Sequence, residues 1–255
     1  MVYKIVVFDF DETIGNFIQL KVFWESIKNT LNYTDNDIDK LNQILNIFPE
    51  YFRPKIMNIL KYLLKIKKEG LCKYIMVYSN NPNKIWIQQI CNFINGKLEQ
   101  KVFHKIICAF KSQGVIIEPC RKSNHKNKEE LLECLSLPLN TQICFIDDQY
   151  YELMDTDNVY YINIKPYFYS LKNTELIDKY YKYYGKSIKI PEKIFKVELS
   201  NLMNTYNYTF NHKDIIEHKV DIAVSKKLLE HIKQYFNKIK KNKTRKIIKD
   251  KKLHL

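Results

Sequence analysis

Five short runs rich in β-branched and aromatic residues, spaced by longer stretches of helical period, constrain this chain more than any other feature of its sequence. Residues 4–10 (KIVVFDF), 74–78 (YIMVY), 105–110 (KIICAF), 142–146 (QICFI) and 159–164 (VYYINI) are nearly continuous in apolar character. Strands covered on both faces by helices read this way. Helices are expected between them at 17–31, 37–47, 54–68, 84–98 and 128–135. Asn81-Pro82-Asn83 predicts a helix start with Asn as cap and Pro in the first turn. Gly70, after a Lys-rich last turn, predicts a helix stop. The expectation is an α/β fold with a mostly parallel five-stranded sheet, flanking helices and right-handed crossovers. In such a sheet chemistry collects beyond the carboxyl ends of the strands.

That rule directs attention to where each apolar run stops. The first ends in Asp9-Phe10-Asp11-Glu12-Thr13, the second in Ser79-Asn80-Asn81, the fourth in Asp147-Asp148. Alternation in an extended segment puts Asp9 and Asp11 on one side. Two carboxylates that close require either a cation between them or one raised pKa. Clustered carboxylates without a His or Cys partner suit a hard cation with oxygen ligands, most often Mg²⁺. Such a site suits phosphoryl transfer: one carboxylate attacks phosphorus, the second protonates the leaving oxygen, and a hydroxyl and an ammonium bind the equatorial oxygens.

Composition removes the main alternatives. Only five glycines occur, too scattered for a dinucleotide fingerprint, a P-loop or a kinase lid. The six histidines give no zinc spacing. The six cysteines form no C-x-x-C and lie mostly in apolar runs, so they are expected as small buried thiols of a reducing compartment. A receiver domain also combines acids, a hydroxyl and a lysine, but there the second acid precedes the hydroxyl. No signal peptide is visible and no apolar stretch reaches about 18 residues, so an intracellular, cytoplasmic protein without a membrane span is expected.

The ordered set Asp9-x-Asp11-x-Thr13, Ser79, a basic segment, then Asp147-Asp148 resembles the four motifs of the haloacid-dehalogenase (HAD) superfamily. Asp11-Glu12-Thr13 and Arg53-Pro54 are similar to its NLI-interacting-factor-like branch, which includes the phosphatases of the RNA polymerase C-terminal domain. The tract 79–86, Leu137-Pro138 and Ile146-Asp147-Asp148-Gln149 followed by 159–167 look more like the versions in large DNA viruses. The resemblance covers roughly residues 1–170, with a weaker echo near 225–236. It implies a HAD-like Rossmannoid core with Asp9 as nucleophile and Asp11 as general acid/base. It further implies Mg²⁺ held by Asp9, Asp147, Asp148 and the main-chain carbonyl of Asp11. Ser79 would bind the phosphoryl group and Thr13 order the first loop, with Asn80 also in the substrate-binding set. The motif-three lysine is expected at Lys126, with Lys122 as runner-up and Lys128 a third candidate.

The domain reading is a catalytic core at 1–165 with a small helical cap at 14–52, then a Tyr- and Lys-rich extension at 166–237 and a disordered basic tail at 238–255. The extension ends in an amphipathic helix with Ile222, Val224, Leu228, Leu229, Ile232 and Phe236 as its stripe. Phe23 and Trp24 are expected to pack the cap, and the tyrosines of 180–184 to pack rather than stack bases. The net charge of +14 is concentrated late in the chain: residues 226–255 carry 12 basic against two acidic side chains. Such a tail can bind nucleic acid or another polyanion, or direct the chain to the nucleus. The expected activity is a Mg²⁺-dependent phosphatase on a macromolecular substrate such as a phosphoprotein. The alternatives are a nucleotide or nucleic-acid-end phosphatase and a catalytically idle HAD-like scaffold.

Overall fold

A computed structural model describes residues 3–206, 208, 210, 213–237 and the backbone of 246–247. The chain divides into two compact units, one of residues 1–15, 53–167 and 218–255, the other of 16–52 and 168–217.

The first unit is built on a parallel sheet with the order β3-β2-β1-β6-β7. Its strands are β1 (Lys4–Phe8), β2 (Tyr74–Tyr78), β3 (Lys105–Ile107), β6 (Gln142–Asp147) and β7 (Val159–Asn163). A hairpin of β4 (Lys111–Ser112) and β5 (Val115–Ile116) stands apart from the sheet. It turns on Gln113 and Gly114, both at positive φ, where glycine avoids the penalty that a Cβ brings. A two-residue strand β8 (Lys246–Ile247) pairs with β7; the rest of the 238–255 tail lies outside the described residues.

The five apolar runs are strands because both sheet faces are covered. Ile5, Val7, Met76, Tyr78, Ile143, Phe145, Val159 and Tyr161 enter one buried cluster together with Leu131 and Leu132. Those leucines belong to helix α5 (Lys128–Leu135), which is capped by the Asn127 side chain accepting from Glu130 N–H at 2.8 Å. On alternate positions Val6, Phe8, Cys144, Tyr160 and Ile162 are equally buried. Against that face lies helix α8 (Ile215–Asn237): Tyr235 O–H donates to Gln142 O at 2.8 Å, and Tyr160 Oη lies 3.1 Å from His231 Nδ1. Helices α3 (Ile56–Lys68) and α4 (Lys84–Leu98) complete this unit. Helix α3 is capped by Glu69, with Gly70 following at φ 74°. Helix α4 spans the expected 84–98, but its cap is Asn83, not Asn81: Asn83 accepts from Trp86 N–H at 2.9 Å, and Asn81 Oδ1 accepts from Asn83 N–H at 2.8 Å while its Nδ2 points elsewhere.

The second unit holds helices α1 (Ile18–Leu31), α2 (Ile38–Ile47), α6 (Asn173–Tyr184) and α7 (Glu192–Asn204). Residues 168–217, where the sequence shows little periodicity, therefore pack with the 16–52 segment. Phe23 sets its ring edge-on to Phe48 and to Tyr180, and all three are buried. Gln19 accepts from Tyr51 O–H and Leu171 N–H while donating to Leu171 O, so one buried amide ties three segments. Trp24 and Tyr180 are buried, whereas Tyr183 is exposed.

Two cysteines depart from the expected buried thiols. Cys120 and Cys134 are joined by a disulfide with their Cα atoms 5.1 Å apart, while Cys72, Cys91, Cys108 and Cys144 remain free and buried. A spacing of 14 residues carries no sequence signature of pairing. The two meet only because the loop before α5 doubles back along that helix.

Candidate functional site

Strand β1 has β2 on one side and β6 on the other, so the direction of strand crossover reverses around it. A crevice opens at the carboxyl ends of strands at such a switch point. Asp9 stands one residue beyond β1, its N–H still donating to Ile146 O at 2.8 Å. Asp147 ends β6, Asp148 follows it, and Ser79 follows β2.

Asp9, Asp147 and Asp148 each offer a carboxylate oxygen within 4.8 Å of the others, a cluster that could hold a metal ion. Lys126 joins them. Its Nζ donates to Asp9 Oδ1 at 2.5 Å and to Asp147 Oδ2 at 2.7 Å, and the lysine is 1% exposed. Burial disfavours the ammonium, but the two carboxylates outweigh it and hold Lys126 charged. Lys122 instead lies exposed beside Glu133 at 3.3 Å, and Lys128 donates to Asp157 O. Of the three candidate lysines, the fold brings Lys126 alone to the cluster.

The Asp11 side chain lies outside the three-carboxylate group. Its Oδ2 accepts from Asn81 Nδ2 at 2.9 Å. Burial and the neighbouring Asp9 raise its pKa to about 6, against the lowering effect of Asn81. Burial and Asp9 likewise raise Asp148, and burial raises Asp147 despite the adjacent Lys126 ammonium. Four carboxylates thus face a single buried ammonium. That excess of negative charge, carried by hard oxygen donors with no imidazole or thiolate among them, fits a hard divalent cation.

The backbone around the acids is fixed from behind. Thr13 O–H donates to Asp148 Oδ1 at 3.1 Å, and Gln149 N–H donates to Asp147 Oδ1 at 2.9 Å. Glu12 adopts φ 53°, a left-handed conformation that costs energy outside glycine. Arg53, 1% exposed, clamps this turn: it donates to Glu12 O at 2.5 Å, Thr13 O at 2.6 Å and Lys165 O at 2.8 Å. Ser79 Oγ accepts from Asn81 N–H at 3.0 Å, which leaves its O–H to donate. Asn80, a candidate substrate contact, has both ends of its amide committed: Oδ1 accepts from Arg121 and Nδ2 donates to Tyr151 Oη. His125 is exposed, its ring edge-on to Tyr151.

Sequence reasoning passed over Asn81, Arg121 and Tyr151. Asn81 carried a signal, since it follows Ser79 at a strand end, but its Asn-Pro context reads first as a cap. Nothing local marks Arg121, whose partners lie at Ser79, Asn80 and Cys108. No protein-family model, curated protein or solved structure matches the chain. Among the described residues, no helix is long and apolar enough to cross a membrane.

Proposed function

We propose that the chain is a Mg²⁺-dependent phosphatase of HAD type, acting on a phosphomonoester through a phosphorylated Asp9. The observation that carries this reading is the buried Lys126 ammonium shared by Asp9 and Asp147, with Asp148 alongside, at the carboxyl edge of the sheet. The strand order, with β1 between β2 and β6, supports it further. Asp9, Asp147 and Asp148, with the main-chain carbonyl of Asp11, would hold Mg²⁺, which supplies charge neutralisation between the acids and an incoming phosphate.

An Asp9 oxygen attacks phosphorus while the ester oxygen leaves. Asp11, whose pKa is raised to about 6 so that its protonated form is populated at mildly acidic pH, donates its proton to that oxygen and releases the alcohol. The resulting Asp11 carboxylate takes a proton from water, whose oxygen attacks the same phosphorus and frees phosphate and the Asp9 carboxylate. Lys126 stabilises the Asp9 carboxylate as it forms and re-forms, and the Ser79 O–H binds a phosphoryl oxygen. Asn81 keeps Asp11 aimed.

The test is hydrolysis of a generic aryl phosphate. Turnover is expected with Mg²⁺ and is abolished by EDTA and by Asp9→Asn. Turnover retained by Asp9→Asn removes the nucleophile assignment.

A further inference from the structure

Arg121 is as buried as Lys126, at 1% exposure, yet among the described residues it has no carboxylate within ion-pair distance. Taking a guanidinium out of water without a counter-charge is unfavourable unless its donors are used. Here Nη1 donates to Ser79 O at 3.0 Å and to Cys108 O at 2.7 Å, and Nη2 to Asn80 Oδ1 at 2.9 Å, at the ends of β2 and β3, while Nε is buried without a hydrogen-bond partner among the described residues. The guanidinium also stacks 4.6 Å from the Tyr78 ring centroid. Asn80 passes the link to Tyr151, which donates to Gln149 Oε1, and Gln149 N–H holds Asp147. One buried arginine thus joins the Ser79 turn to the acidic turn after β6.

The segment that delivers Arg121 is anchored at both ends. Cys120 precedes it, and its disulfide partner Cys134 lies on α5 in the core cluster with Leu131 and Leu132. The loop this closes contains both Arg121 and Lys126, two of the three buried cations around the site among the described residues. Cross-linking reduces the conformations open to such a loop, so its reduction loosens the seating of both.

We propose that Arg121 is a positioning residue for the phosphoryl-binding turn at Ser79–Asn80, fixed there by the Cys120–Cys134 disulfide, so that the site's hold on phosphate depends on that bond. This rests on the phosphatase reading of the site, and its test separates the two.

The full-length protein is compared with Arg121→Met, Arg121→Lys and the wild type treated with dithiothreitol. That dithiol gives two electrons and two protons to the cystine, leaves Cys120 and Cys134 as thiols, and closes to its own cyclic disulfide. Hydrogen exchange over residues 79–83 is expected to accelerate at least fivefold in each case. KM for the aryl phosphate is expected to rise about tenfold, the equivalent of about one lost hydrogen bond, with kcat falling less. Arg121→Lys recovers most of the melting temperature lost by Arg121→Met while KM stays raised. Unchanged exchange at 79–83, or a lowered melting temperature with KM unmoved, overturns the proposal. If the wild type hydrolyses nothing, the phosphatase reading falls, and the exchange data alone decide whether Arg121 and the disulfide hold the turn.

Discussion

The Asn81 side chain donates to the Asp11 carboxylate at 2.9 Å, across the gap between the ends of β2 and β1. This bond favours the charged form of Asp11 and opposes the upward push of burial and Asp9. Removing it by Asn81→Ala raises the Asp11 pKa above about 6. Because the proposed first step needs Asp11 protonated, kcat/KM is expected to fall as pH rises through that pKa. In Asn81→Ala the falling limb moves to higher pH by up to about one pH unit, the equivalent of about 1.4 kcal/mol. A pH–rate profile measures this, and a limb moving to lower pH contradicts it.

Lys126→Met leaves Asp9 and Asp147 buried without their shared ammonium. Breaking a buried pair from one side costs about 3–5 kcal/mol, softened as the acids take up protons. Lys122→Met removes an exposed contact to Glu133 and changes stability by less than about 0.5 kcal/mol. Urea unfolding of the two variants at pH 7 separates them; equal losses would mean that Lys126 is not the buried partner of the acids.

Chelated protein is expected to lose stability as pH rises from about 4 to about 7. Burial raises the folded pKa values of Asp11, Asp147 and Asp148 above the ordinary carboxylate value of 3.8. The folded state therefore binds more protons than the unfolded chain within that window, and stability drops as those protons leave. Asp147→Asn removes one of the three groups and flattens the fall, and Mg²⁺ offsets it in the wild type. Thermal unfolding in EDTA across the window checks the sign.

Much of this architecture is legible in the residues themselves. The continuous apolar runs at β1, β2 and β6 mark strands buried on both faces, and the acids and serine at their ends mark the crevice. The α6 and α7 region is not legible, because Tyr180 packs on Phe23, distant in sequence, and the local period is weak. The same reason hides Arg121, which bonds residues about 13 and 42 positions away, and the Cys120–Cys134 pair. The lysine was open among three in the sequence, since Lys122, Lys126 and Lys128 differ only in how the loop before α5 folds.

Arg53→Met tests the clamp behind the acids. It leaves the carbonyls of Glu12, Thr13 and Lys165 without their donor in a buried setting. A loss of about 3 kcal/mol or more is expected, with faster hydrogen exchange at residues 11–15. Exchange that stays slow there would show that the φ 53° turn at Glu12 holds without Arg53.

In the proposed reaction Asp9 carries the phosphoryl group. Protein mixed with Mg²⁺ and an aryl phosphate, quenched in acid and digested, is expected to hold one alkali-labile phosphoryl group on the peptide containing Asp9, absent in Asp9→Asn. Turnover by the wild type with that adduct absent, or with it on another residue, would contradict the account.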